Sequence, residues 1–272
     1  AYDERYYEML DVFPDVKHAG PQEHLNALRK FKENLKIPVI ASLNAVNDET
    51  WLEYAKLIEE TGVDVLELNF YSVPRDIKIE DSEIINDQIN IVKEIVNNVK
   101  IPVTVKLSPF YVNPLNVINK MSNEGVAGFV IFNRFFNPDI DIEQEKHINL
   151  FDITTRNENR IALRFIGLLY GNINSSLCGN TGVHTGEDVI KMILSGADCV
   201  QIVGTIYKNK PRYISTILSD IDEWMSKKGY ERIDDFKGKL SNKNINDPFV
   251  YKRAQYIELL LKSEELFSRK YL

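Results

Sequence analysis

Lys106 stands inside Val103-Thr104-Val105-Lys106-Leu107, a run whose other residues suit a buried strand. A buried ammonium is costly unless a carboxylate or a ligand's negative charge faces it. One reading is an internal salt bridge to an acid such as Glu67. The other is a fixed cation that stabilises charge developing on a cofactor, or that forms a Schiff base. Three asparagines close comparable apolar runs: Asn44, Asn69 and Asn133. Asparagine is a turn former, and each carboxamide also offers a donor and an acceptor to a flat polar heterocycle.

A phosphate-binding turn is suggested by Gly179-Asn180-Thr181-Gly182-Val183-His184-Thr185-Gly186, followed by a helical pattern over 187–195. Glycines let backbone amides approach a phosphate, and a helix N-terminus adds free N–H groups and a favourable dipole. Gly204-Thr205 is a second such turn at the end of the next strand. Plain βα turns would look the same. His184, within the first loop, suits a structural role. Ser72 follows Asn69-Phe70-Tyr71 without the neighbouring His and acid of a hydrolase triad. His18, His24 and His147 show no metal spacing, and Cys178 and Cys199 form no CxxC or Cys/His quartet. No metal site is therefore expected from this chain.

The elements that must position these residues follow an internal rhythm. Lys36-Ile37-Pro38-Val39-Ile40 is echoed by Lys100-Ile101-Pro102-Val103-Thr104. Gly62-Val63-Asp64-Val65 is echoed at Gly125-Val126 and at Gly196-Ala197-Asp198-Cys199. Six short apolar runs, 37–44, 63–70, 101–107, 127–133, 174–180 and 198–204, predict strands of a parallel sheet buried on both faces. Helical stripes lie between them. Trp51, Tyr54, Ala55 and Ile58 form one, with a cap near Asn47-Asp48 and a stop at Gly62. Ile85, Ile89, Val92, Val96 and Val99 form the next. Val189, Ile190, Ile193 and Leu194 precede Gly196, and Tyr213, Ile217, Leu218, Ile221 and Trp224 form the last. The fold class expected is α/β, a TIM (β/α)8 barrel of which about six of eight strands are evident. Residues 1–36 look helical, with Leu25, Leu28, Phe31 and Leu35 in register, so the first two strands are not there. They are expected upstream of this numbering or on another chain. Segment 134–173 holds a long excursion and then a helix near 160–170. Residues 1–245 are read as the barrel domain and 246–272 as a helical tail.

Composition narrows the function classes. The 272 residues are 44% hydrophobic and 27% charged, as in ordinary globular proteins. A net charge of −7 without a clustered Lys/Arg tract speaks against nucleic acid as partner. No apolar run approaches the roughly 20 residues of a membrane span. Two cysteines suit a reducing cytoplasm.

The motifs resemble the dihydroorotate dehydrogenase family over about residues 37–240. Leu66-Glu67-Leu68-Asn69-Phe70-Tyr71-Ser72 is similar to its Glu-Leu-Asn strand and active-site loop, and Pro102-Val103-Thr104-Val105-Lys106-Leu107-Ser108-Pro109 to its flavin-contacting lysine strand. Thr181-Gly182-Val183-His184-Thr185-Gly186 with Gln201-Ile202-Val203-Gly204-Thr205 resembles its FMN-phosphate region. Ile131-Phe132-Asn133-Arg134-Phe135, Leu169-Tyr170-Gly171 and Lys252-Arg253-Ala254-Gln255-Tyr256 resemble the dihydroorotate dehydrogenase-like branch in particular.

The resemblance implies an FMN-dependent oxidoreductase acting on a dihydroorotate-like CH–CH bond, in pyrimidine biosynthesis. Asn44, Lys106, Asn133, Gly182, Gly204 and Thr205 would hold FMN, and Asn69 and Asn133 the substrate. Ser72 would be the catalytic base, with Lys106 beside the flavin N1/C2 edge. It implies a small-molecule substrate, neither nucleic acid nor membrane as partner, and a homodimer as in soluble relatives. Three departures stand out. Val73-Pro74 replaces the Pro and Asn of the family loop, Thr181-Gly182 replaces paired glycines, and the first two strands, which carry a second lysine, are missing. The alternatives are a flavin-binding or structural barrel subunit without dihydroorotate turnover, and an aldolase-type barrel using Lys106 as an amine.

Overall fold

The computed structural model describes residues 21–45, 48–71, 73, 76–149 and 153–262. Helix α1, Pro21–Asn34, precedes strand β1, Ile40–Leu43. Then follow α2 (Asp48–Glu59), β2 (Val65–Asn69), α3 (Asp81–Asn98), β3 (Val103–Leu107), α4 (Pro114–Asn123) and β4 (Gly128–Ile131). A hairpin of β5 (Pro138–Asp141) and β6 (Lys146–Asn149) leads to α5, Asn159–Leu169. The chain continues through β7 (Ser176–Gly179), α6 (Gly186–Ser195), β8 (Cys199–Val200), α7 (Gly204–Asn209) and α8 (Tyr213–Lys228), and ends its described helices with α9, Ala254–Leu261.

Six strands form one sheet in the order β1-β2-β3-β4-β7-β8, every pair parallel. Each of the six predicted runs holds one of these strands. The sheet curls into part of a TIM barrel, with β1 and β8 at its edges among the described residues.

The two faces of the sheet differ in a way the apolar runs did not announce. Successive strand residues point to opposite faces. One set, Ala41, Leu66, Leu68, Val103, Val105, Leu107, Phe129, Ile131 and Leu177, is buried in the main core. These residues face the helices on the convex side. The alternate set is Ser42, Glu67, Asn69, Thr104, Lys106, Cys178 and Cys199, and in β3 its members Thr104 and Lys106 are only half-buried. The expectation of strands buried on both faces holds for β4 and is corrected for β1, β3 and β8, where the concave face is partly open.

The helices cover the convex face by their apolar stripes. Trp51, Ala55 and Ile58 are buried in α2, and Ile190 and Ile193 in α6. In α3 the deepest residues are Gln88, Ile91, Val92 and Ile95, whereas Ile85, Ile89 and Val96 are partly buried. A helix wedged between a sheet and neighbouring helices buries a face wider than one stripe. Phe31, Leu35 and Leu218 were expected inward and are exposed, the last about 100° round the helix from its buried neighbour Ile217.

Segment 134–173 was read as an excursion, and its hairpin carried no strand signal because its residues are largely exposed. The Asp141 side chain shapes the turn by accepting from Glu143 N, Gln144 N and Gln144 Nε2. After α8, Tyr251 donates to the Leu240 carbonyl at 2.7 Å. Its ring end lies against Gly167 of α5, where any Cβ would sit 2.0 Å from the tyrosine oxygen. No described helix is long and apolar enough to cross a membrane.

Candidate active site on the concave face

The strand register assembles the site. Asn69, Lys106, Val130, Cys178 and Cys199 occupy one row across five strands. Glu67 and Ser42 form part of the row below.

Lys106 Nζ donates to Gln201 Oε1 at 3.2 Å, and Gln201 Nε2 donates to Glu67 Oε2 at 2.7 Å. The other carboxylate oxygen, Oε1, accepts from Ser42 Oγ at 2.9 Å. The amide of Gln201 thus stands between the cation and the acid, and the direct Lys106–Glu67 salt bridge considered from sequence does not form. Glu67 is only 4% exposed, so its charge depends on these two donors for solvation. Lys106 remains a half-buried ammonium with an amide oxygen on one side and the open concave face on the other.

Asn133 Nδ2 donates to Asn69 Oδ1 in a close contact, and Asn133 is buried. Two of the three predicted asparagines are therefore joined across the end of β3, Asn69 closing β2 and Asn133 following β4. One carboxamide oxygen on Asn133 and one amino group on Asn69 are left for other partners by the inventory of the side chain. Asn44 follows β1 at the edge of the sheet and is exposed. Ser72 lies outside the described residues. Tyr71 and Phe135 pack at 4.6 Å, and Phe135 meets Phe110 at 5.4 Å, making an aromatic rim beside the asparagines.

The two glycine turns come together through His184. Its Nδ1 lies 3.0 Å from Thr205 Oγ1 and its Nε2 3.4 Å from Thr154 Oγ1. Thr205 is buried at the start of α7. Gly182 has φ +69°, and a Cβ there would meet Asn159 N at 2.6 Å and Thr155 O at 2.8 Å. At Gly204 a Cβ would meet Ile153 Cγ2 at 2.7 Å. Glycine is needed at both positions for close packing, whatever ligand the loops meet.

The loop leading into α6 is fixed by Asp188. It accepts from His184 N, Thr185 N and Thr185 Oγ1 through Oδ2, and Thr185 returns the cap to Asp188 N. Arg156 Nε reaches the same carboxylate at 3.0 Å, and its Nη2 reaches Glu187 at 2.7 Å. Burial acts to raise the Asp188 pKa. The hydrogen bonds from Arg156, His184 N and Thr185 outweigh it and hold the carboxyl below the ordinary range. Arg156 and Gln201 were missed from sequence. Gln201 carried a signal, since it is polar and lies two residues beyond Cys199, the strand period that marks the concave face.

Among the described residues no group of three His, Cys, Asp or Glu side chains could hold a metal ion. The family model for dihydroorotate dehydrogenase matches residues 16–225. A dihydroorotate dehydrogenase B (NAD(+)) catalytic subunit of Bacillus mycoides is 27% identical over 234 residues, covering 82% of this chain and 74% of its own length. The protein of the same description from Methanocaldococcus jannaschii is 29% identical over 200 residues, covering 71% of this chain and 65% of its own. A curled parallel sheet, a lysine on its concave face and a family match over most of the length agree: this chain belongs to the dihydroorotate dehydrogenase family of oxidoreductases.

Proposed function

We propose that this chain binds FMN on its concave face and oxidises a dihydroorotate-like CH–CH bond. The observation that carries this reading is a concave-face lysine that has no carboxylate partner among the described residues and donates to the Gln201 amide oxygen, in the same sheet as two joined carboxamides. The residues fit such a group chemically. A heterocycle with alternating carbonyl and N–H edges suits the donor and acceptor left on Asn69 and Asn133. A cation at Lys106 suits a ring that gains negative charge on reduction. Bound FMN supplies a two-electron acceptor for the hydride.

In this reading Lys106 keeps its charge fixed by Gln201, and Asn133, Asn69 and Asn44 orient the planar groups. Gly182, Gly204 and Thr205 hold the phosphate end, supported by the His184 bridge between their loops. Ser72 receives the substrate proton. A serine is a poor base at neutral pH, so it passes the proton on to water or a neighbour. The test is a visible spectrum of the purified protein followed by anaerobic titration with dihydroorotate. Flavin bands that bleach on titration support the proposal. A colourless protein that fails to take up added FMN sinks it.

Val73, where the family loop has proline, favours a second reading: a flavin-binding barrel without dihydroorotate turnover. Flavin bands that stay unbleached under excess dihydroorotate would select it.

A further inference from the structure

Cys178 and Cys199, unused in the reading above, lie side by side in the wall of the concave face. The parallel register of β7 and β8 pairs these two residues directly. Paired residues send their side chains to the same face, and neighbouring strands lie about 4.8 Å apart. That spacing falls inside the Cα separation of about 4.4–6.8 Å that a disulfide accepts. Both are free thiols, and their surroundings differ: Cys178 is buried and Cys199 is exposed. Cys178 Sγ donates to the Gly179 carbonyl at 3.8 Å. The neighbouring Cys199 thiol and burial push Cys178 well above the usual thiol range. Glu67 pushes the same way and Lys106 opposes. The adjacent Cys178 thiol lowers Cys199, against burial and Asp198, which act the other way. An accessible thiol with a favoured thiolate beside a buried protonated one is the asymmetry of an attacking and a resolving cysteine.

We propose that Cys199 and Cys178 form a thiol–disulfide exchange site for small disulfides of the glutathione type, with Cys199 attacking and Cys178 resolving. The Cys199 thiolate attacks one sulfur of the small disulfide. A Cys199 mixed disulfide forms, and one small thiolate leaves and takes up a proton. Cys178 then loses its proton and attacks the Cys199 sulfur, expelling the second small thiol. Two protein thiols are oxidised to one disulfide, and one small disulfide is reduced to two thiols. The bond formed ties β8 to β7 at a point where the two strands pair over only two residues, next to Gln201. The strand register pairs the two thiols whether or not the face holds a flavin.

The test uses the full chain, fully reduced, freed of reductant and incubated without oxygen with glutathione disulfide. Non-reducing peptide mapping should find a Cys178–Cys199 link that dithiothreitol reverses. Cys178→Ala should stop at a stable glutathionyl adduct on Cys199. Should that variant not fold, timed alkylation of the native wild-type chain decides: Cys199 should react about tenfold or more faster than Cys178. Two thiols that stay free, a Cys199 adduct that never resolves in the wild-type chain, links only between chains, or faster alkylation of Cys178 would each overturn the proposal.

Discussion

Lys106 and Gln201 make the sharpest claims at the scale of single residues. Lys106→Gln keeps a polar side chain of similar reach and removes the charge. If the cation stabilises a transition state, dihydroorotate oxidation should fall by about 10²–10³-fold, the scale of losing one electrostatic stabiliser. Stopped-flow reduction rates read this directly, and an unchanged rate would remove Lys106 from the chemistry. Gln201→Leu has a different signature. It strips Glu67 of one of its two donors inside a 4% exposed site. The cost to folding should be about 1–3 kcal/mol, measurable by urea denaturation. Lys106 was legible in the sequence because its type conflicts with its neighbours. The Gln201 contact was not, because it joins residues 95 positions apart and depends on where β8 falls in the sheet. Ser72, legible only by resemblance, lies outside the described residues.

At the scale of elements, the start of α6 holds the loop that carries Gly182 and His184. Asp188 caps that helix and anchors Arg156 from the segment before α5. Asp188→Ala removes the N3 half of the capping box and leaves the half-exposed Arg156 to Glu187 alone, and should cost about 1–2 kcal/mol, read as a lowered thermal midpoint. The same carboxylate predicts acid behaviour. Its folded pKa is depressed, so its contribution is present above the unfolded value of about 3.9 and is lost as pH falls through the folded one. Wild-type midpoints should drop with acidification below about pH 4. Asp188→Asn should flatten that part of the profile, and an equally steep profile in the variant would contradict the linkage. Most of these elements were legible. Strand positions showed as apolar runs and α6 showed its stop at Gly196. The hairpin Pro138–Asp141 with Lys146–Asn149 did not, because an exposed hairpin shaped by one aspartate has no hydrophobic period to read.

At the scale of the whole molecule, a ligand that binds the folded chain stabilises it by mass action. FMN at about a hundredfold over its dissociation constant should add about 2.7 kcal/mol, a rise of roughly 5–10 °C in thermal midpoint for a chain of this size. Differential scanning fluorimetry with and without FMN checks it, and riboflavin, lacking the phosphate, should shift the midpoint less if Gly182, Gly204 and Thr205 grip that end. The fold class was legible because six βα repeats leave few alternatives. The polarity of the concave face was not legible at that scale. Alternation over four or five residues is easily hidden when small or aliphatic neighbours dominate a run.

That alternation has an evolutionary consequence. Along β2 and β3, every second side chain belongs to the packing against the helices and the ones between face the concave side, where the proposed chemistry would sit. A library of single substitutions should separate into two interleaved combs, one losing expression and the other, the buried Glu67 apart, losing mainly turnover. Lineages of such a chain can rewrite what it acts upon, one tooth at a time, while the scaffold registers no change.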